Sequence, residues 1–155
     1  MTTSNKKTDE IQIYNQSKEL IFSGQKKDLP GKNLSMANFE SWDLIGFDFT
    51  GCNLSFADFD FAVFEGSNLS NCDFTNASLN NTYFDISDLS NSKFDSSSFS
   101  WSQFYECNFQ NSKFHNANLK NAAFFRCNTI EAEFCKTDIL KTTFLETDCN
   151  GFKTT

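Results

Sequence analysis

The stretch LSMANFESWDLIGFDFTGCNLSFADFDFAVFEGSNLSNCDF, residues 34–74, carries Leu or Phe at every fifth position. Leu34, Phe39, Leu44, Phe49 and Leu54 set the beat, which continues without exception to Phe124, nineteen consecutive positions. Leu29 precedes it, Phe134, Ile139 and Phe144 prolong it, and Thr129 and Cys149 are its two lapses. Side chains repeat about every 3.6 residues in a helix and every 2 in a strand, so neither element alone produces a period of five. A fixed short period marks a repeat architecture.

A second beat runs two residues before each centre. The residue there is small almost throughout, as in Ala37, Cys52, Ala57, Ala62, Ser67, Cys72 and Ala77, with Trp42 and Phe47 as departures. The residue just before the centre is often Asn or Asp: Asn38, Asp43, Asp48, Asn53, Asp58, Asn68. "FADFD", "GSNLS", "NCDFT" and "NANLK" follow a unit Ala-(Asp/Asn)-(Leu/Phe)-X-X. This pattern resembles the pentapeptide-repeat family over residues 27–150. The resemblance implies an all-β fold, a right-handed quadrilateral β-helix with four pentapeptides to a coil.

The residues agree with that architecture. A large and a small side chain two apart lie on one face of extended chain, and both point inward if the chain turns after each unit. Twenty residues then return the chain to its starting face about 4.8 Å higher, giving about six coils in a rod about 30 Å long. Every twentieth residue falls in one inner column. The first face holds Leu34, Leu54, Phe74, Phe94, Phe114 and Phe134; the second, Phe39, Phe59, Leu79, Phe99, Leu119 and Ile139. The third holds Leu44, Phe64, Phe84, Phe104, Phe124 and Phe144; the fourth, Phe49, Leu69, Leu89, Phe109, Thr129 and Cys149. Fourteen of the twenty Phe residues are centres, so aromatic contacts carry much of the core. Asn71, Asn91 and Asn111 fall twenty apart and are expected to stack as an outward ladder.

Residues 1–28 lack the beat and read as an N-terminal tail and cap, 29–150 as the β-helix, and 151–155 as a C-terminal tail. The first eight residues are polar and expected to be disordered. Ile11, Ile13, Tyr14, Leu20, Ile21 and Phe22 are expected to cover the open end of the first coil, which blocks edge-to-edge association. With no secretory apolar segment and no membrane span, a cytoplasmic protein without membrane contact is expected. Cys52, Cys72, Cys107 and Cys127 occupy the small inward slot and Cys149 a centre, leaving only Cys135 outward; the six read as packing residues. One His and no Cys-x-x-Cys give no support to a metal site, and no cofactor is expected.

The net charge of −7 is unevenly spread. Residues 1–32 hold six Lys and four acids, residues 33–119 two Lys and eleven acids, and residues 120–155 four Lys, one Arg and five acids, giving +2, −9 and 0. The middle of the rod is acidic. Glu40, Asp43, Asp60, Glu65, Asp85 and Glu106 form a candidate partner-binding edge that repels nucleic acid and attracts basic protein surfaces; the alternative is an acidic surface that only keeps a Phe-rich rod soluble. Towards the C-terminus, outward positions turn apolar. Tyr105, Phe125, Ile130, Leu140, Leu145 and Phe152 form a candidate dimer interface at that end.

Asp95, His115 and Cys135 share one outward column in the order acid, base, nucleophile. Catalysis also needs a pocket and an oxyanion site. The unbroken beat leaves no inserted loop to build either, so no enzyme and no catalytic residue is expected. Two functional classes remain. One is a non-catalytic protein-interaction module, a rigid acidic-waisted rod binding an unidentified protein. The other follows from the resemblance: some pentapeptide-repeat proteins imitate DNA and bind type II topoisomerases such as gyrase, with quinolone resistance or inhibition as the result.

Overall fold

The computed structural model describes residues 10–151 and Lys153. The expected disorder of residues 1–8 and the interface role of Phe152 lie outside the described residues. The framework is a β-helix that advances one level every twenty residues. Parallel bridges on the first face link Asn33 to Asn53, Asp73, Lys93, Lys113, Glu133 and Lys153 in turn. Equivalent ladders run from Asn38 to Asp138 on the second face and from Asp48 to Asp148 on the fourth. Lys153, beyond the last centre, still belongs to the ladder.

The third face is built differently. After an N-terminal hairpin, β1 (Glu10–Tyr14) and β2 (Leu20–Gln25), come five short strands: β3 (Val63–Glu65), β4 (Tyr83–Asp85), β5 (Gln103–Tyr105), β6 (Ala123–Phe125) and β7 (Thr143–Leu145). They stack as one parallel sheet in the register Phe64, Phe84, Phe104, Phe124, Phe144. From Val63 onwards the residue before the centre on this face is never Asn or Asp but Val63, Tyr83, Gln103, Ala123 and Thr143, whereas each other face keeps at least three such residues.

On the other faces the Asn or Asp has a local task. Its Oδ1 accepts from the backbone N–H two residues on, as Asn38 does from Glu40 (2.9 Å), Asp73 from Thr75 (3.0 Å) and Asn128 from Ile130 (3.0 Å). Such side-chain bonds mimic a backbone turn. The centre's carbonyl then accepts from the amide three residues on, as Phe74 does from Ala77 (2.9 Å) and Leu119 from Ala122 (2.9 Å). The residue two after each centre takes a left-handed φ, as a type II turn requires. Gly46, Gly51, Asn71, Asn76, Asn81, Asn91, Asn111, Asn116 and Asn121 occupy such corners, where Gly and Asn are least strained.

The core is the stack of centres. Phe64, Phe84, Phe104, Phe124 and Phe144 succeed one another with ring centroids 4.5, 5.0, 4.6 and 4.8 Å apart. Phe74, Phe94, Phe114 and Phe134 do the same at 5.1, 4.7 and 4.7 Å. Both columns are buried except at Phe144. The small slot accepts hydroxyls and thiols because each finds a backbone carbonyl. Some reach one coil below, as Ser92 Oγ donates to Leu69 O (2.8 Å), Ser67 Oγ to Leu44 O (2.6 Å) and Cys72 Sγ to Phe49 O (2.9 Å). Others stay in their own coil, as Ser97 Oγ donates to Phe94 O and Ser112 Oγ to Phe109 O (both 2.7 Å). Thr129 breaks the hydrophobic beat yet is fully buried, its hydroxyl donating to Asp148 O (2.8 Å).

Trp42 and Phe47, the two large residues in small slots, sit in the first coil, where no coil lies beneath. Trp42 packs edge-on against Phe39 (5.2 Å), and Phe47 lies under the Lys26 ammonium (4.2 Å). The hairpin covers this end. Ile13 is fully buried, and Ile11, Ile21 and Phe22 pack on the same core, whereas Tyr14 and Leu20 remain exposed. Asn38 donates its amide to Tyr14 O (2.8 Å), so the hairpin also satisfies the backbone edge. At the opposite end Ile139 and Cys149 are exposed, although both are centres, because no described coil covers them. Cys52, Cys72, Cys107 and Cys127 are buried free thiols. Burial pushes the Cys72 thiol up to about 12, far from its reactive range.

Candidate interaction surface

The six acidic residues of the expected edge divide between two faces and a corner. Glu40 and Asp60 follow the centres of the second face; Asp43, Glu65 and Asp85 belong to the third; Glu106 is a left-handed corner beyond it. Glu65 and Asp85 are in strand register, one coil apart. Two of the six already have internal partners. Asp60 Oδ1 accepts from Ser78 Oγ (2.6 Å) and the Asn80 amide (2.9 Å), and this ladder continues through Asn80 Oδ1 to Ser98 Oγ (2.6 Å). Glu106 lies 3.8 Å from Arg126, which also holds Glu146 at 2.7 Å. Glu40, Asp43, Glu65 and Asp85 are left to project their charge.

The apolar surface follows the third face. Val63 and Tyr83 are exposed on one side of it, and Tyr105, Phe125 and Leu145 stack in register on the other. Tyr105 contacts the rings of Tyr83 (5.5 Å) and Phe125 (5.8 Å), and Arg126 covers Phe125 at 4.8 Å. Partial burial, with the nearby Asp85 and Glu65 charges, raises the pKa of the Tyr83 hydroxyl. Tyr105, Phe125 and Ile130 are half-buried, so among the described residues of the expected dimer interface Leu140 and Leu145 are the most open. Ile139, read as a core centre, joins them on the surface.

Two members of the acid-base-nucleophile column, Asp95 and His115, join a ladder of side-chain contacts that also takes in Glu133. His115 Nε2 lies 3.0 Å from Glu133 and Nδ1 3.4 Å from Asp95, so each ring nitrogen faces a carboxylate on a neighbouring coil. The bond to His115 holds the Glu133 carboxyl below its ordinary value. Among the described residues no cluster of His, Cys, Asp and Glu fits a metal ion, and no helix is long and apolar enough to cross a membrane. An open cleft lies where the hairpin meets the first coil, lined by Tyr14, Asn15, Lys18, Asn38 and Trp42.

Asn71, Asn91 and Asn111, expected to stack as an outward ladder, are left-handed corners, and the Asn111 side-chain amide donates to Asn91 Oδ1 (3.3 Å). Reading the sequence did not extend this to the corners as a class. The signal was present: residues two after the centre are rich in Gly and Asn, which the left-handed conformation favours. Five corners instead carry large apolar side chains: Met36, Phe56, Phe61, Ile86 and Trp101. All five are 52–62% exposed.

Fold and surface together define a β-solenoid repeat protein whose outward columns are set by position in a five-residue unit. Residues 57–134 match the family described as a pentapeptide repeat region, and residues 33–71 match pentapeptide repeats (8 copies); the chain belongs to the pentapeptide-repeat family. Comparison with curated protein sequences gives no match. Among solved structures, a trypsin-treated variant of QnrB1, a plasmid-mediated fluoroquinolone resistance protein, is similar at 25% identity with a TM-score of 0.54. That alignment covers 80% of this chain and 70% of the other. Full-length QnrB1 aligns at 20% identity over 81% of this chain and 78% of its own, with a TM-score of 0.54. Rfr23, a pentapeptide repeat protein of the cyanobacterium Cyanothece 51142, aligns at 20% identity over 81% and 89%, with a TM-score of 0.49.

Proposed function

We propose that this chain is a non-catalytic protein-interaction module, a rigid rod that displays the acids and apolar side chains of its second and third faces to a protein partner. The observation that carries this reading is the uninterrupted corner geometry from Met36 to Gly151, which leaves fixed outward columns as the chemistry on offer. A rigid surface loses little conformational entropy on binding. The second reading is DNA mimicry towards a type II topoisomerase, with Glu40, Glu65 and Asp85 standing in for phosphates. It is favoured by the negative charge of residues 33–119 and by the likeness to QnrB1, which is a fluoroquinolone resistance protein.

A photo-crosslinking side chain at position 85 separates these readings, with the same group at Asn111 on a different edge as control. In cells, a discrete protein adduct from position 85 and none from 111 is expected. If the adduct is a topoisomerase subunit, and purified protein alters gyrase supercoiling in a manner lost in E40Q/E65Q/D85N, mimicry is the function. No adduct from position 85 overturns both readings. The C-terminal end, with Ile139, Leu140 and Leu145 exposed, is proposed as a homodimer surface. Sedimentation of L140E/L145E is expected to give half the parent's mass; equal masses refute the dimer.

A further inference from the structure

The corner between the second and third faces combines backbone strain, exposed aromatic rings and acidic neighbours. It holds Ser41, Phe61, Asn81, Trp101 and Asn121 in successive coils, all with left-handed φ (59°, 63°, 56°, 64° and 59°). In this conformation an L side chain other than Asn or Gly crowds the following carbonyl, at roughly 1–2 kcal/mol. Large side chains offset such strain when they gain burial. Phe61 and Trp101 do not: they are 56% and 62% exposed, and among the described residues no ring packs on either. Asn81 between them shows which residue the backbone alone would select. Two independent stability terms therefore oppose Phe61 and Trp101, and strain of this kind collects at binding sites.

Their surroundings specify a ligand. Glu40 and Asp60 directly precede this corner on the second face, and Val63 and Tyr83 follow it, exposed, on the third. Glu65 and Asp85 lie across the third face, and Asp43 sits one coil below Val63. No Lys, Arg or His occurs between Lys32 and Lys93, so the coils carrying these acids contribute no cation of their own. The nearest are Lys18 of the hairpin, which lines the cleft with Asn38 and Trp42, and Lys120, one coil above Trp101. Coils are about 4.8 Å apart, which sets Phe61 and Trp101 about 10 Å from each other, with Asn81 as a shallow gap between two rings. Apolar side chains fit that gap, cations fit the acids on either side, and Lys or Arg also stacks on exposed aromatic faces.

We infer that this corner binds a protein segment mixing basic with apolar residues, Phe61 and Trp101 gripping the apolar side chains and Glu40, Glu65 and Asp85 the basic ones. The inference rests on the interaction-module reading and names its contact surface and partner chemistry. Charge complementarity selects a cationic occupant over an acidic or neutral one.

The test uses three synthetic peptides of equal length, built from Lys and Leu, from Lys and Ser, and from Glu and Leu. Binding is read by Trp101 fluorescence and by calorimetry. The Lys/Leu peptide is expected to bind at least tenfold more tightly than either of the others and to weaken in 0.5 M salt. F61N/W101N gives each corner the residue its backbone favours. That variant is expected to keep or raise the melting temperature while losing at least tenfold in affinity. E40Q/E65Q/D85N is expected to lower affinity and flatten the salt dependence. Equal binding of the Glu/Leu peptide, binding unchanged in F61N/W101N, or no binding by the Lys/Leu peptide at 100 µM overturns the proposal. In the last case a protein adduct from position 85 leaves the module reading standing and removes only this corner.

Discussion

Replacing Phe104 by alanine is expected to lower stability by about 3–5 kcal/mol, the usual cost of deleting a fully buried aromatic side chain. Phe104 has no solvent exposure and touches rings on every side. Phe84 lies below it at 5.0 Å, Phe124 above at 4.6 Å, and Phe99 and Phe109 flank it edge-on at 5.6 and 5.1 Å. The backbone cannot collapse into the space, because β5 is held between β4 and β6 in fixed register. In a chain of 155 residues this loss corresponds to a melting temperature lower by roughly 6–20 °C. Phe144→Ala is the control. It removes the same ring from the same column in a coil that no described residue covers, and it is expected to cost clearly less. Equal effects at the two positions would show that coil-on-coil burial does not govern stability here.

That contrast also marks where the sequence was legible. Leu or Phe every fifth residue fixes the inner columns, because an axis lined by twenty-residue coils has room for one large side chain per unit. The columns read from Leu34 to Phe134 are buried as expected. Ile139 and Cys149 obey the same spacing and are exposed, since periodicity says where a side chain points and not whether another coil covers it. Interaction surfaces were less legible for a related reason. Spacing assigned Glu40 and Asp60 to one column and Glu65 and Asp85 to the next, which is where they lie. It did not reveal that Asp60 is occupied by Ser78 and Asn80, or that Arg126 stands beside Glu106 while bonding Glu146, since both depend on side-chain reach across coils. The His115 column shows the same limit: its neighbours in sequence register are Asp95 and Cys135, but the ring also reaches Glu133 from the adjoining column.

The small slot gives the second large effect, and it tests whether the polar residues there form networks or act singly. Ser102→Ala is expected to cost about 1–3 kcal/mol, the penalty for orphaning a buried donor. At Ala62 and Ala122, one coil below Thr82 and one above Ser102, the amide closes the turn on the preceding centre, to Phe59 O and to Leu119 O (both 2.9 Å). Thr82 departs from this arrangement. Its amide donates to Ser102 Oγ (3.3 Å), while Leu79 O accepts from Thr82 Oγ1 (2.7 Å) and Ser102 Oγ (2.6 Å). Both residues are buried, so removing the Ser102 hydroxyl strands the Thr82 N–H with no water to replace it. The threonine hydroxyl meanwhile keeps its hold on the carbonyl that the amide would otherwise use. Thr82→Ala/Ser102→Ala removes that competition and returns the turn to the Ala62 pattern. The double variant is therefore expected to be more stable than Ser102→Ala alone, with a coupling energy of about 1 kcal/mol in a double-mutant cycle by chemical denaturation. Additive losses would mean that the Thr82 amide cannot reach Leu79 O, and that the backbone at this corner is set by the coils above and below and not by its own hydroxyls.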